Sequence, residues 1–275
     1  MSFEQIKMLS PELFKRYCGV KPDTFAKVCE FVGNELKRVR KKTGRPCKLS
    51  VEDQVLLTLE YWREYPTQFH IAKRWQLSEA TVSRTIVKIE NLLKNCRDFQ
   101  LPGKKVLRSA ENTFELIIID VTESPIERPK KKQRRHYSGK KKRHTIKTQL
   151  VIDRKTRQVI CTRQASGKTH DFAVFKETRF EIADHVCLLG DSGYQGLQTK
   201  HKLSQIPLKK PKGGELSAEQ RRANRELSRQ RIAVENVIRS LKIFRIVAQR
   251  YRNRRRRFGL RFNLIAGLYN YEMAH

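Results

Sequence analysis

The chain has 275 residues, 60 of them Lys or Arg against 28 Asp or Glu, for a formal charge of +32. A hydrophobic share of 38% with 8% aromatics excludes a wholly disordered basic tail, and no apolar run approaches the roughly 18 residues that cross a bilayer. Such a surplus repels itself unless phosphates or counterions are near, so the expected partner is a polyanion: nucleic acid rather than membrane, since no basic amphipathic helix leaves apolar side chains for lipid.

The opening residues, MSFEQIKMLSPELF, lack the basic and then apolar sections of a secretory signal, and the six cysteines include no C-x-x-C pair and no Cys/His quartet with zinc spacing. A reducing, cytoplasmic setting is expected, with Cys161 and Cys187 as buried thiols. Pro11 to Val32 carries Leu13, Phe14, Tyr17, Phe25, Val28 and Phe31 at helical intervals, broken at Gly19 to Pro22. A basic linker follows from Lys37 to Lys48, and its Gly44-Arg45-Pro46 is the kind of segment that lies in a minor groove, with Arg45 as the contact. Ser50 is suited to cap a helix over VEDQVLLTLEYWREY, with Glu52 and Asp53 in its first turn. Gln68 to Leu93 predicts two helices about a tight connection, the second capped by Ser78 and lined inside by Val82, Ile86, Ile89 and Leu93. This is a helix-turn-helix pattern. Its outer face offers Thr81, Ser83, Arg84 and Lys88 to bases and phosphates.

The period then changes. Leu116 to Ile119 is a continuous apolar run, predicting a strand buried on both faces that ends on Asp120. Thr145–Asp153 and Gln158–Ala165 predict two alternating strands joined by a polar turn that Asp153 helps to form. His170 to Thr178 predicts a helix in which Asp171 reads as a cap. His185 to Gly196 predicts a strand ending on Asp191, and Ser217 to Leu241 a long helix that carries Glu235 beside its apolar stripe. Arg231, Arg239 and Lys242 lie near the same helical face as Glu235. Two strand-end carboxylates brought to one sheet edge, a helical carboxylate and surrounding cations suggest phosphoryl transfer, in which two hard cations about 4 Å apart activate the attacking oxygen and stabilise the leaving one. Magnesium suits oxygen ligands of this kind, with manganese as a substitute.

The motifs DVTES with Asp120, HYSGKKKRHTIK, the HDF at His170, GDSGYQG with Asp191 and RIAVENVIRSLK with Glu235 together resemble bacterial insertion-sequence transposases of the DDE class, in the IS-five-like group related to Harbinger transposases. The resemblance covers nearly the whole chain. It implies an α/β fold with an RNase H-like core, a mixed sheet flanked by helices, over residues 101–275, and an all-α DNA-binding domain over 1–100 with its helix-turn-helix at about 50–95. It implies further that Asp120, Asp191 and Glu235 are the catalytic triad holding two Mg2+ ions, and that Arg231 and Lys242 belong to the signature around the last acid, whose tyrosine position here holds Ser228. The basic runs then gain expected roles along duplex DNA, with Lys140, Lys141, Lys142 and Arg143 in one and Arg254 and Arg255 in the other.

The function so implied is transposition: binding of terminal inverted repeats, hydrolysis at the 3′ ends, and joining to target DNA by a homodimer or larger synaptic assembly at the bacterial nucleoid. Two rivals differ in what they would do with DNA. A catalytically silent regulator would bind without cutting, and a nuclease of the same fold would cut without joining.

Overall fold

The computed structural model describes residues 1–39, 47–211 and 213–275, which fall into two units: Met1–Gln100 with Leu241–Gln249 and Leu260–His275, and Leu101–Ser240 with Arg250–Gly259. The linker contact expected at Arg45 lies outside the described residues. No helix among the described residues is long and apolar enough to cross a membrane.

In the first unit α1 (Pro11–Cys18) ends at Gly19, whose φ of 89° is a left-handed cap, and α2 (Pro22–Val39) restarts at a proline placed for a first helical turn. Next come α3 (Val51–Arg63), α4 (Gln68–Arg74) and α5 (Glu79–Leu93). The caps are those the sequence predicts: Ser50 Oγ accepts from Asp53 N at 3.0 Å and Ser78 Oγ from Thr81 N at 3.2 Å. Every residue of α3 from Gln54 to Trp62 is buried, so this helix has no solvent face and serves as the axle on which α1, α2, α4 and α5 pack. Glu60 and Trp62 of this helix find partners inside, whereas Gln54 Oε1 is buried without a hydrogen-bond partner among the described residues. Trp75 donates its indole N–H to Glu60 at 2.7 Å, and Trp62 donates to Glu90 at 3.2 Å.

The second unit is built on a mixed sheet. β1 (Leu116–Pro125) is followed by the one-turn α6 (Gln133–His136), β2 (Tyr137–Ser138), β3 (Arg143–Asp153), β4 (Val159–Ser166), α7 (Asp171–Thr178), β5 (Cys187–Leu189), β6 (Ser204–Gln205) and α8 (Ala218–Lys242). Across the sheet the order is β4–β3–β1–β5–β6, with β2 on the first residues of β3. β1, β3 and β4 form an antiparallel meander, whereas β5 joins β1 in parallel and β6 joins β5 in parallel. This is the mixed sheet of an RNase H-like core. Ile117, Ile119, Val151, Ile160 and Leu188 bury one side of it with Phe175 of α7 and Tyr194. The short β2 and β6 were not predicted, since two residues are too few to show a period.

Three expectations need correction here. Asp120 does not end its strand, because the ladder with β3 continues from Asp120↔Leu150 to Pro125↔Thr145. Asp191 lies two residues beyond β5 and caps a 3-10 turn at Ser192–Tyr194. β3 is buried continuously over its last six residues rather than alternating, since both its faces are covered. Asp153 does form the predicted turn, accepting from Thr156 N at 2.9 Å and Thr156 Oγ1 at 2.6 Å.

After α8 the chain returns to the first unit through the one-turn α9 (Arg245–Ala248) and the last helix, α10 (Phe258–Ala274). Arg261 of α10 reaches buried Glu90 at 2.6 Å, Glu272 takes an ion pair from Lys15 at 2.6 Å, and the backbone of Gly267 lies against the carbonyl of Phe99.

Candidate active site

The two strand-borne acids are brought together by register. The parallel pairing of β1 with β5 runs Leu116↔Cys187, Ile117↔Leu188, Ile118↔Leu189 and stops. Asp120 and Asp191 are each two residues past its final pair, at matching positions where the two strands part. β1 is still held there by β3, which leaves its β5 side open.

Asp120 is largely buried, with 17% of its side chain exposed. Its Oδ1 accepts from Val121 N at 2.8 Å, and its Oδ2 is 3.7 Å from a guanidinium nitrogen of Arg231 on α8. Burial pushes its pKa up to about 6; Arg231 and the Val121 N–H oppose that rise, while Asp191 and Asp171 add to it. Asp191 accepts from Gly193 N at 2.6 Å. A Cβ at position 193 would stand 2.9 Å from Asp191 Oδ1, so that carboxylate would have to shift, and 3.5 Å from Asp171 Oδ2.

Asp171 is therefore part of this site, which its expected role as a helix cap did not foresee. His170, not Asp171, occupies the cap position of α7, and no side chain makes a capping bond there. The Asp171 carboxylate instead pairs with Lys147 of β3 at 2.7 Å. Two residues along β3, the buried Gln149 donates to Tyr194 Oη at 3.1 Å and to the Asp171 carbonyl at 3.5 Å. Tyr194 is fully buried, and desolvation followed by the nearby carboxylates raises its pKa well above the usual value, so its phenol stays neutral. The HDF motif was the one available signal for Asp171; Lys147, Gln149 and Tyr194 carried none that a sequence reading could separate from ordinary strand and turn residues.

Glu235 sits on α8 one turn beyond Arg231. The inward side of this helix is formed by Ala233, Val234, Val237 and Leu241, and Glu235 is exposed beside it, as is Ile232 at 49%. The structure thus places Glu235 on the helix that reaches Asp120, without bringing its carboxylate into the cluster. Among the described residues no three His, Cys, Asp or Glu side chains already form a metal pocket. The chemistry of Asp120 and Asp191 nonetheless fits a hard divalent cation. Both offer carboxylate oxygens, and the cation beside Asp120 is Arg231, 3.7 Å away. Arg239 is exposed on α8 and Lys242 half-buried.

In the first unit the outer face of α5 is as predicted in kind. Arg84 is exposed, its Nε donating to Ala80 O at 3.1 Å, while Thr81, Ser83 and Lys88 are half-buried along the same helix. In the second unit Lys140, Lys141 and Lys142 lie in the exposed turn between β2 and β3, Arg143 is exposed at the start of β3, and Arg254 and Arg255 are exposed in a turn before α10.

Residues 119–270 match the family model described as DDE superfamily endonuclease, and residues 47–98 match the helix-turn-helix of DDE superfamily endonuclease. The chain is 52% identical over 274 residues to a probable transposase for insertion sequence element IS702 from Microchaete diplosiphon, covering 100% of this chain and 99% of that one. It is 29% identical over 189 residues to a putative transposase for insertion sequence element IS112 from Streptomyces albus G, covering 68% of each. Among solved structures it is similar to a piggyBac transposase synaptic complex with hairpin DNA, at 11% identity and a TM-score of 0.44 over 99% of this chain and 76% of that one; a likeness this loose carries no argument.

Proposed function

The chain belongs to the DDE superfamily of endonucleases, and from that premise we propose that it is the transposase of an insertion sequence, with Asp120, Asp191 and Glu235 as its catalytic acids. The observation that carries the reading is the placement of Asp120 on β1 and Asp191 in the turn after β5, each two residues past the last pair of the parallel ladder, on the open side of β1. Magnesium, with manganese as a substitute, would be held by these carboxylates as two ions and would supply Lewis-acid stabilisation of charge on the attacking and leaving oxygens.

The chain's own residues do the rest by positioning. Gly193 ties the Asp191 carboxylate to the turn after β5, and Lys147 fixes the Asp171 carboxylate by an ion pair. Arg231 steadies Asp120 until the charge of a phosphodiester and its ions competes for both. Glu235 would complete the set by a rotation of its side chain or a shift of α8 once DNA occupies the site. The helix-turn-helix would read the terminal inverted repeats through Thr81, Ser83, Arg84 and Lys88, with phosphate contacts from Arg45, Arg231, Arg239 and Lys242. Two ends cut and joined in one event call for two copies, so a symmetric dimer or larger synaptic assembly fits the inverted symmetry of the ends, and the nucleoid is where it would act.

The test is strand cleavage and joining on a duplex carrying the element's terminal sequence, with magnesium, for the wild type and for Asp191→Asn. The wild type should yield joined products bearing the end sequence, and the variant none. Cutting without joining would establish a nuclease instead, and binding without cutting a silent regulator.

A further inference from the structure

Two basic runs far apart in the sequence come together in the second unit. Lys130–Arg143 holds nine Lys and Arg, all exposed, and Arg250–Arg257 holds six; neither run contains an acid. They meet at the end of β1. Tyr251 N donates to Pro125 O at 2.8 Å, Glu127 N donates to Tyr251 O at 3.3 Å, and Ile126 bridges Tyr251 in parallel. The Tyr251 ring is fully buried and stands edge-on to Phe258 at 5.1 Å, anchoring the arginine run from beneath. Arg255 contacts the buried His136 of α6, which joins the run to the first one a second time.

The backbone of both runs is strained where the charge is densest. Of the nine non-glycine residues with positive φ among the described residues, five are Lys132, Lys142, Arg254, Arg255 and Arg257. Each such residue costs about 1 kcal/mol or more, and persists where the surroundings hold it for a purpose. Lys142, Arg254 and Arg255 lie in runs of consecutive exposed cations, 140–143 and 254–256, whose like charges repel. A polyanion relieves that repulsion.

We propose that the two runs form one clamp for the sugar-phosphate backbone of duplex DNA, centred about five nucleotides from the phosphate that reacts at Asp120. The distance comes from the strand itself. Five residues separate Asp120 from Pro125 along β1, about 17 Å at roughly 3.3 Å per residue, and for a duplex whose axis follows β1 each strand of B-DNA advances one phosphate per about 3.4 Å of that axis. The inference rests on the catalytic reading of Asp120. A clamp on phosphates reads no sequence, so it takes an element end and a target duplex alike and sets the register in which either meets the acids.

The test uses the full chain and two labelled duplexes of equal length, one with the element's terminal sequence and one of random sequence. Affinity is measured over a range of salt for the wild type and for two triple variants, Arg254→Gln/Arg255→Gln/Arg256→Gln and Lys140→Gln/Lys141→Gln/Lys142→Gln. Each variant should lower the slope of log affinity against log salt by about two to three, on both duplexes. In parallel, single phosphates of the end duplex are replaced by neutral methylphosphonates. Neutralisation four to six nucleotides from the cut should weaken the wild type and no longer weaken either variant. Unchanged slopes in both variants, or sensitivity at other phosphates that survives the substitutions, would overturn the clamp. Asp191→Asn separates the two readings: if it still cuts, the catalytic assignment fails and the five-nucleotide distance with it, whereas loss of cutting alongside unchanged slopes in both triple variants removes the clamp alone.

Discussion

Asp120 is burdened by its position, since burial beside Asp191 and Asp171 raises its pKa to about 6 and the 3.7 Å contact with Arg231 offsets only part of that rise. In linkage terms, a carboxyl whose folded pKa is raised binds its proton more tightly in the native state, so without divalent ions it destabilises the fold as pH rises from about 4 through about 6. Asp120→Asn should abolish strand cleavage and yet be more stable than the wild type at pH 7, by about 1 kcal/mol. That advantage should vanish near pH 4, and urea unfolding at the two pH values measures it. The cysteines obey the same logic at the other end of the scale. Burial pushes Cys18, Cys29 and Cys161 up to about 12 and raises Cys96 and Cys187, whereas Cys47 is exposed. Cys187, expected as a buried thiol, is only half-buried because it opens the short β5, so a thiol reagent at pH 8 should modify Cys47 rapidly, Cys187 more slowly and the others only on unfolding, and stability should fall above about pH 9, where the unfolded thiols ionise and the buried ones do not. Asp120 and Asp191 were legible in the sequence because each follows an apolar run that can only be a buried strand. Asp171 was not, because its place is set by Lys147 and Gly193, partners that folding alone brings near it.

At the level of elements, the helices announced themselves through period and cap, and Ser50 and Ser78 make the bonds their positions predict. Replacing Ser78 by Ala should cost about 1 kcal/mol and loosen the first turn of α5, weakening DNA binding beyond the loss in stability. The length of β1 was less legible. Beyond Asp120 its residues no longer form an apolar run, and only the pairing with β3 keeps them extended. The exposure of Glu235 was also hidden, because an acid beside an apolar stripe falls inside or outside according to how the helix is turned, and α8 is turned to bury Val234 and Val237. Close helix packing left no mark in the sequence either. A Cβ on Gly267 of α10 would lie 1.9 Å from the carbonyl oxygen of Phe99, a backbone atom that cannot step aside. Gly267→Ala should therefore destabilise the first unit by about 2–3 kcal/mol, visible as a lower thermal midpoint by circular dichroism.

For the molecule as a whole, the charge of +32 decided the class of partner before any motif was read, and it makes a claim about salt. With six or more phosphates contacted, affinity for duplex DNA should fall by about a thousandfold between 50 and 200 mM salt, measurable by anisotropy; a shallow dependence would mean that the basic surfaces face elsewhere. The chain contributes to its first unit twice, once at the beginning and again at the end, where Arg261 supplies the cation for Glu90 and Glu272 pairs with Lys15. During synthesis this has a consequence of timing. The helix-turn-helix leaves the ribosome early, but α10, which packs against it, is made only after the whole sheet of the second unit, so the first unit completes its packing only once the second has been synthesised.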